Sequence, residues 1–269
     1  MKVAFITGCS TGIGAATARH FASQGWSVAA TMRQPGDAFA GETNIKTFAL
    51  DVTDRASIKA AVDGALAAFG RIDALVNNAG YGLFGPFETA SDEAIQKQFD
   101  TNLFGLFDVT RAALPALKAQ GAAVIVNVSS IGGLTTFPMN SLYHATKYAV
   151  VGFTESLNYE LAAFGVTAKV VCPGGVSTDF AGRSLALTFE GDGGDYVDAL
   201  AKTMAAFRRN PSRYSTPQFI AEGLFAAATD GTRNVRYVLG DDAQARWAMR
   251  QRITDAEYVA GVEAWMNGA

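Results

Sequence analysis

Val3-Ala4-Phe5-Ile6-Thr7-Gly8-Cys9-Ser10-Thr11-Gly12-Ile13-Gly14 opens the chain almost at once, and its reading decides the fold. Val3 to Ile6 is a short apolar run of the kind that forms a strand covered on both faces. It passes directly into a glycine-bearing turn, and from Ala15 to Ser23 an alanine-rich pattern of helical period follows. Glycine admits positive φ and lets another backbone or a ligand approach closely, while the free N–H groups of a helix start point at an anion. Strand, turn and helix together predict a phosphate-binding loop built on Gly8, Ser10, Gly12, Ile13 and Gly14. Its spacing is G-x-x-x-G-x-G in place of the G-x-G-x-x-G of other dinucleotide folds.

The same rhythm continues outward from this turn. Apolar runs recur at Ser27 to Thr31, Ile45 to Ala49, Ile72 to Val76, Ala122 to Val128, Val166 to Val171 and Val235 to Leu239. Helical patterns lie between them: Arg55 to Phe69, Asp92 to Gln120 with a break near Asn102, a long helix ending near Phe164 before Gly165, and Pro217 to Thr229. Alternating strands and helices predict an α/β fold, a doubly wound Rossmann arrangement with a seven-stranded parallel sheet and helices on both faces. Ligands of such sheets sit at the carboxyl ends of the strands. The segments found there are Met32-Arg33, Asp51-Val52, Asn77-Asn78-Ala79-Gly80, Ser129-Ser130 and Pro173-Gly174, the last followed by Val176 and Thr178. From Phe180 to Ser215 the periodicity fades, and a long irregular segment in a compact domain reads as a substrate lid, at about 180–215. A helical extension from about 242 to 269 completes a single domain spanning 1–269.

Composition sets bounds on the function. The chain has 269 residues, 49% of them hydrophobic and 17% charged, with a formal net charge of -3. That balance carries no electrostatic footprint for nucleic acid or an anionic membrane surface. No apolar run reaches the roughly 18 residues of a membrane helix, and the early Thr7-Gly8 leaves no room for a signal-peptide core, so a cytoplasmic location is expected. Cys9, Cys172, His20 and His144 lack metal-ligand spacing, so no metal is expected.

The chemistry concentrates in Tyr143-His144-Ala145-Thr146-Lys147, with Ser130 thirteen positions before the tyrosine. At i and i+4 on one helix, Tyr143 and Lys147 share a face. A cation within roughly 4–6 Å favours a phenolate and lowers a phenol's pKa by about 1–3 units, which suits an acid that must also act as a base. Ser130 offers a hydroxyl where negative charge develops on a substrate oxygen. Such a pair alone is often only a packed ring beside a solvated amine, so the neighbouring motifs carry the decision. His144, at i+1, points away from Tyr143 and is expected to pack at the pocket edge.

The ordered set Thr7-Gly8 through Gly12-Ile13-Gly14, Asp51, Asn77-Asn78-Ala79-Gly80, Asn102, Ser130, Tyr143 with Lys147, and Pro173-Gly174 with Thr178 resembles the short-chain dehydrogenase/reductase family over nearly the whole chain. Thr-Gly-Cys-Ser-Thr-Gly-Ile-Gly with Ala-Thr-Met-Arg resembles the branch of 17β-hydroxysteroid dehydrogenase-like enzymes. The resemblance implies an oxidoreductase that moves a hydride between a nicotinamide cofactor and a ketone or secondary alcohol. It implies a tetrad of Asn102, Ser130, Tyr143 and Lys147: Tyr143 exchanges the proton, Ser130 holds the oxygen, Lys147 lowers the tyrosine pKa and binds nicotinamide ribose, and Asn102 positions a water. Asp51 and Val52 would lie by the adenine, Asn78 to Gly80 along the ribose, and Pro173, Gly174, Val176 and Thr178 on the nicotinamide side. Asn78 could instead bind backbone, Asn102 kink a helix, and Thr178 cap the lid. Two other functional readings compete, an epimerase or dehydratase and a non-enzymatic NADP(H)-binding sensor; the first would call for an extra substrate domain, the second for loss of Tyr143 or Lys147.

Cofactor choice turns on Arg33, 19 positions after Gly14. An acid near this place accepts bonds from the ribose 2′-hydroxyl, whereas a guanidinium suits a 2′-phosphate, so NADPH is expected over NADH. Phe180, Leu185, Leu187, Phe189, Tyr196, Met204 and Phe207 spread through the lid and predict a bulky apolar substrate. Helices near Leu103 to Gln120 and Ala149 to Phe164 resemble the pairing faces of family dimers and tetramers, so self-association is expected.

Overall fold

A computed structural model describes residues 1–178, 184–209 and 214–268. Its centre is a seven-stranded sheet in the order β3-β2-β1-β4-β6-β7-β9, every pairing parallel. The strands are β1 (Val3–Ile6), β2 (Ser27–Met32), β3 (Ile45–Ala49), β4 (Ala74–Asn77), β6 (Ala123–Val128), β7 (Val166–Pro173) and β9 (Arg236–Leu239). Every residue of β1, β4 and β6 is buried, which is why these strands read as continuous apolar runs rather than alternating ones. The order reverses direction at β1 and β4, so the loops leaving them face one crevice at the carboxyl edge.

On one face of the sheet lie α1 (Gly12–Ser23) and α7 (Pro217–Thr229). Phe21 of α1 is fully buried, with its ring 5.3 Å from Trp26 and 5.0 Å from Phe225, both edge-on. Truncating such a ring to alanine costs about 3–5 kcal/mol, enough to loosen α1 from the sheet. The other face carries α2 (Arg55–Phe69), α4 (Gly105–Gln120) and α5 (Ser141–Leu161), over a core that includes Phe5, Ile58, Leu75, Leu117 and Ile125. Asp54 caps α2 by accepting from the Ala56 N–H, and Gly70 closes it in the left-handed region.

The helix expected from Asp92 to Gln120 is interrupted where its break was placed. α3 (Asp92–Phe99) gives way to a π-helical turn over Asp100–Phe104, and α4 resumes at Gly105. A widened turn of this kind inside a helix commonly marks a functional position, and it carries Asn102. A polar bridge runs through the core beside it: Asn77 Nδ2 donates to Thr110 Oγ1 and Asn127 Oδ1, both at 2.9 Å, and Asn127 donates to Thr154 Oγ1. It ties β4 and β6 to α4 and α5.

The expected irregular lid is a correction. Among the described residues it holds β8 (Leu185–Leu187), paired parallel with a short β5 (Gly82–Phe84), and then the helix α6 (Val197–Arg208). Three-residue strands and a partly exposed helix leave too weak a periodic signal for the sequence to show. The C-terminal extension is two helices, α8 (Asp241–Arg250) and α9 (Asp255–Asn267), the second started by a Thr254–Glu257 capping box.

Candidate active site

β6 ends at Val128, and the chain turns through Ser129 and Ser130 into a single 3₁₀ turn, Ile131–Gly133. The two serines divide the work. Ser129 Oγ donates to the Lys147 carbonyl at 2.9 Å and fastens α5 to the strand end. Ser130 Oγ accepts the Gly132 N–H at 3.0 Å and lies close enough to the Tyr143 hydroxyl to lower its pKa. The geometry therefore favours Ser130 over Ser129 beside the phenol. α5 brings Lys147 alongside: its Nζ lies 5.7 Å from the Tyr143 ring centroid and donates to the Val128 carbonyl at 3.0 Å.

Asn102 closes the cluster from the π turn. It is buried; its Oδ1 accepts the Tyr81 N–H at 2.9 Å and its Nδ2 donates to the Tyr81 carbonyl at 2.8 Å and to Thr146 Oγ1 at 3.3 Å. The side chain thus anchors the segment after Gly80 to α5. A methyl built on Gly80 would lie 3.1 Å from Asn102 Oδ1 and 3.7 Å from Lys147 Nζ, so the lysine head and the asparagine amide border one small space.

The electrostatics differ from the sequence expectation in one respect. Burial pushes the Tyr143 hydroxyl above its ordinary value of 10, against the lowering effect of the Ser130 hydrogen bond. Burial also draws Lys147 down from 10.5 to about 8. Desolvation disfavours the charged form of both groups, and at Tyr143 it outweighs the lowering effect of Ser130. His144 is buried with its pKa drawn down to about 4, so it stands as neutral imidazole and packs against Phe137 at 5.7 Å. The Cys9 and Cys172 thiols are buried and pushed up to about 12, which makes them inert.

Across the crevice the glycine turn forms a cradle. Thr7 Oγ1 accepts the N–H groups of Asn78 and Ala79, each at 3.0 Å, and Asn78 Nδ2 donates to the carbonyls of Thr7 and Gly8. The Asn78 side chain accordingly holds backbone, the structural alternative recognised in its sequence. Thr11 caps α1 without a side-chain bond to the helix N–H groups. Gly12 lies within 3.5 Å of the Thr178 methyl once a Cβ is built on it, so the glycine turn and the end of the Pro173–Thr178 loop face each other. Ser10 is exposed and Ile13 half-buried at the helix start. Arg33, also exposed, lies close enough to help hold the Asp51 carboxyl below its usual range, after the larger contributions of the Thr53 N–H and hydroxyl. Val52 is buried against Gly105. An uncapped helix start, close glycine packing and a cation at the β2 end fit a dinucleotide.

Some participants escaped the sequence reading. Asp242 of α8 accepts the Gly175 N–H at 2.8 Å and pins the loop that carries Gly174, Val176 and Thr178. An acid just after the last strand was the available signal. Of the residues expected to form a lid, Leu187 and Met204 are exposed, Tyr196 donates to Glu88 at 2.6 Å, and Phe207 packs against Phe137; Phe180 lies outside the described residues. Two open clefts, of about 530 Å³ between Thr53 and α3 and about 590 Å³ between Glu88 and Tyr196, lie away from Tyr143.

Residues 2–186 match the short chain dehydrogenase family. The chain belongs to that family. This short-chain dehydrogenase is an NAD(P)-dependent oxidoreductase acting on alcohols and ketones. It is 39% identical over 236 residues to an uncharacterised oxidoreductase of Schizosaccharomyces pombe, covering 85% of this chain and 97% of that one. A short-chain dehydrogenase structure from Streptomyces avermitilis superposes with a TM-score of 0.83 at 30% identity, covering 99% of this chain and 96% of that one. The structure of ElxO with NADP bound has a TM-score of 0.74 at 28% identity over 88% of this chain and 96% of that chain. No helix among the described residues is long and apolar enough to cross a membrane.

Proposed function

We propose that this dehydrogenase interconverts a bulky apolar ketone and its secondary alcohol with NADPH, using Asn102, Ser130, Tyr143 and Lys147. The observation that carries the reading is the Ser130 hydroxyl close enough to Tyr143 to lower its pKa, with Lys147 Nζ 5.7 Å from the phenol ring. Bound nicotinamide supplies the hydride for the carbonyl carbon. In reduction the carbonyl oxygen accepts hydrogen bonds from both hydroxyls, and the Tyr143 proton passes to that oxygen as the C–O bond becomes single. Lys147, protonated below about 8, faces the phenolate left behind. Asn102 holds the Gly80–Tyr81 segment against α5 and borders the lysine head, which suits a water there.

Support for NADPH comes from Arg33, exposed at the β2 end beside a sequence with no carboxylate until Asp37, and from the NADP in ElxO. Support for an apolar substrate comes from the half-buried rings of Phe137, on the loop before Tyr143, and Phe207, which pack together at 5.5 Å. Gly8, Ser10, Gly12, Ile13, Gly14, Asp51, Val52, Asn78, Ala79, Gly80, Pro173, Gly174, Val176 and Thr178 complete the proposed cofactor contacts. The test is Tyr143→Phe. Turnover of ketones with NADPH should fall by about 10² to 10⁴, with cofactor affinity within a few-fold of the parent. A variant keeping more than about a tenth of parent turnover would remove Tyr143 from the role of proton donor.

A further inference from the structure

The family match ends at residue 186, yet the loop that leaves β7 at the carboxyl edge is tied to segments beyond it. The Gly174 N–H donates to the carbonyl of Leu239, the last residue of β9, at 2.9 Å, and the Gly175 N–H donates to Asp242 Oδ2 at 2.8 Å. The Ser215 N–H donates to the Gly175 carbonyl at 2.9 Å, and the Ser177 N–H to the Ser215 carbonyl at 2.8 Å. Two side chains press on the same pair of glycines. A Cβ built on Gly174 would stand 2.2 and 2.5 Å from the carboxylate oxygens of Asp242, and one on Gly175 would stand 2.2 Å from the Tyr214 ring. Only glycine lets a carboxylate and a ring come this close to the backbone.

Asp242, in the first turn of α8, uses one oxygen on this loop and leaves the other without a partner: Oδ1 is buried and, among the described residues, makes no hydrogen bond. It is hemmed in by Gly174 and by Gly240, where φ is +101° and a Cβ would lie 2.8 Å from it. An unpaired buried carboxylate oxygen costs stability, and departures of this kind concentrate at functional sites. What the arrangement does fix is the place of the loop. Past the two glycines the chain runs Val176-Ser177-Thr178, and the Thr178 methyl comes within 3.5 Å of a Cβ built on Gly12. The carboxylate thus governs how far the loop stands from the helix start that suits the cofactor phosphates. We infer that Asp242 is a positioning residue for the nicotinamide half of the cofactor, fixing Gly174 and Gly175 so that Val176 and Thr178 meet that half at the right height. Tyr214 backs the same turn at its second glycine. The inference deepens the proposed cofactor contacts and rests on that reading.

Calorimetric titration tests it, with NADP⁺ and with adenosine 2′,5′-bisphosphate, the half of that cofactor that lacks nicotinamide, on the parent, Asp242→Ala and Asp242→Asn. Alanine removes both the acceptor of the Gly175 N–H and the body that stands against Gly174, so NADP⁺ should bind about tenfold more weakly. The bisphosphate carries nothing to place against Val176 and Thr178, so its affinity should stay within about twofold. Asparagine keeps an acceptor oxygen for Gly175 and sets its amide where Oδ1 has no donor to lose, so NADP⁺ should return to within about threefold of the parent. Equal weakening of both ligands, weakening of neither, or an asparagine variant as weak as the alanine one would make Asp242 a plain structural residue and overturn the inference. Failure of the cofactor reading itself has a different mark, in the parent. A parent that holds NADP⁺ no more tightly than the bisphosphate draws nothing from its nicotinamide side, and one that binds neither is no NADP(H) enzyme; either result overturns both readings.

Discussion

Replacing Gly14 with alanine should damage this enzyme in a way that a neighbouring glycine will not reproduce. A Cβ at Gly14 would stand 2.2 Å from the Gly8 carbonyl oxygen, 2.6 Å from Asn78 Nδ2 and 2.8 Å from the Gly8 carbonyl carbon. These lie far inside the roughly 3.5 Å at which non-bonded heavy atoms rest. None of the three can rotate away, because two are backbone and the amide is tied to the Thr7 and Gly8 carbonyls. The start of α1 must therefore separate from the turn. Overpacking costs about 1–3 kcal/mol, and loss of the Asn78 bonds adds about 0.5–1.5 kcal/mol each. A total near 3–5 kcal/mol corresponds to about 10 °C in melting temperature for a chain of this size. Gly12→Ala is the control: its Cβ meets nothing nearer than the Thr178 methyl at 3.5 Å, and only its φ of +57° is unfavourable, at about 1–2 kcal/mol. Thermal melts followed by circular dichroism on cofactor-free protein should rank parent, Gly12→Ala, Gly14→Ala, and calorimetric titration with NADP⁺ should show Gly14→Ala weakened at least about a hundredfold. If Gly14→Ala melts within about 2 °C of the parent, the packing of turn on helix is not what the geometry indicates.

Arg33→Asp should weaken NADPH by one to two orders of magnitude, from the loss of charge-assisted bonds of about 1.5–3 kcal/mol, and leave NADH within a few-fold; an unchanged ratio of the two KM values removes Arg33 from phosphate recognition. Lys147 supplies a pH signature. From about 8 up to the ordinary 10.5 the unfolded chain holds a proton that the folded chain has lost, so its burial opposes folding fully below about pH 8 and is relieved as pH rises through that window. The stability of the cofactor-free parent relative to Lys147→Met should thus grow between pH 8 and 10.5 by at most about 3 kcal/mol in denaturant titrations, and a flat difference would show that the ammonium is not desolvated. Phe104 and Tyr148 are 46% and 43% exposed on the face of the π turn and α5, and Tyr159 is 79% exposed, so light scattering at micromolar concentration should give a multiple of the 28.3 kDa chain; a monomer mass would count against self-association.

What the sequence disclosed and what it concealed follow from the range of each interaction. Val3 to Gly14 reads as strand, turn and helix because those properties belong to adjacent residues, and α1 begins at Gly12, inside that stretch. Asn102 was visible as an interruption in a helical period, and the interruption is a π turn. Ser130 and Tyr143 could be paired in the sequence only by what their hydroxyls could do together, since no local rule brings positions thirteen apart into contact; β6 and α5 do so in space. The expected lowering of the tyrosine pKa failed for a related reason. Spacing shows that a cation stands one turn away, but only the folded structure shows how much water has been removed from both groups, and burial dominates here.

The packing of the C-terminal helices was the least legible part, and its physics explains why. Phe84, Phe137, Phe207 and Trp265 come from β5, a loop, α6 and α9, with no shared period; Phe84 is buried and the other three are ordinary partly buried rings. Asp242 and Tyr258 are equally silent, because their partners are backbone groups of Gly175 and Thr136, whose hydrogen-bonding capacity leaves no mark on residue type. The residues expected to carry the reaction sit at a strand end, in the π turn and on one helix, where local patterns are strong. Contacts between distant segments follow no such pattern, so the expected tetrad could be read from the chain while the packing of α8 and α9 onto the loop before Tyr143 emerged only in the folded structure.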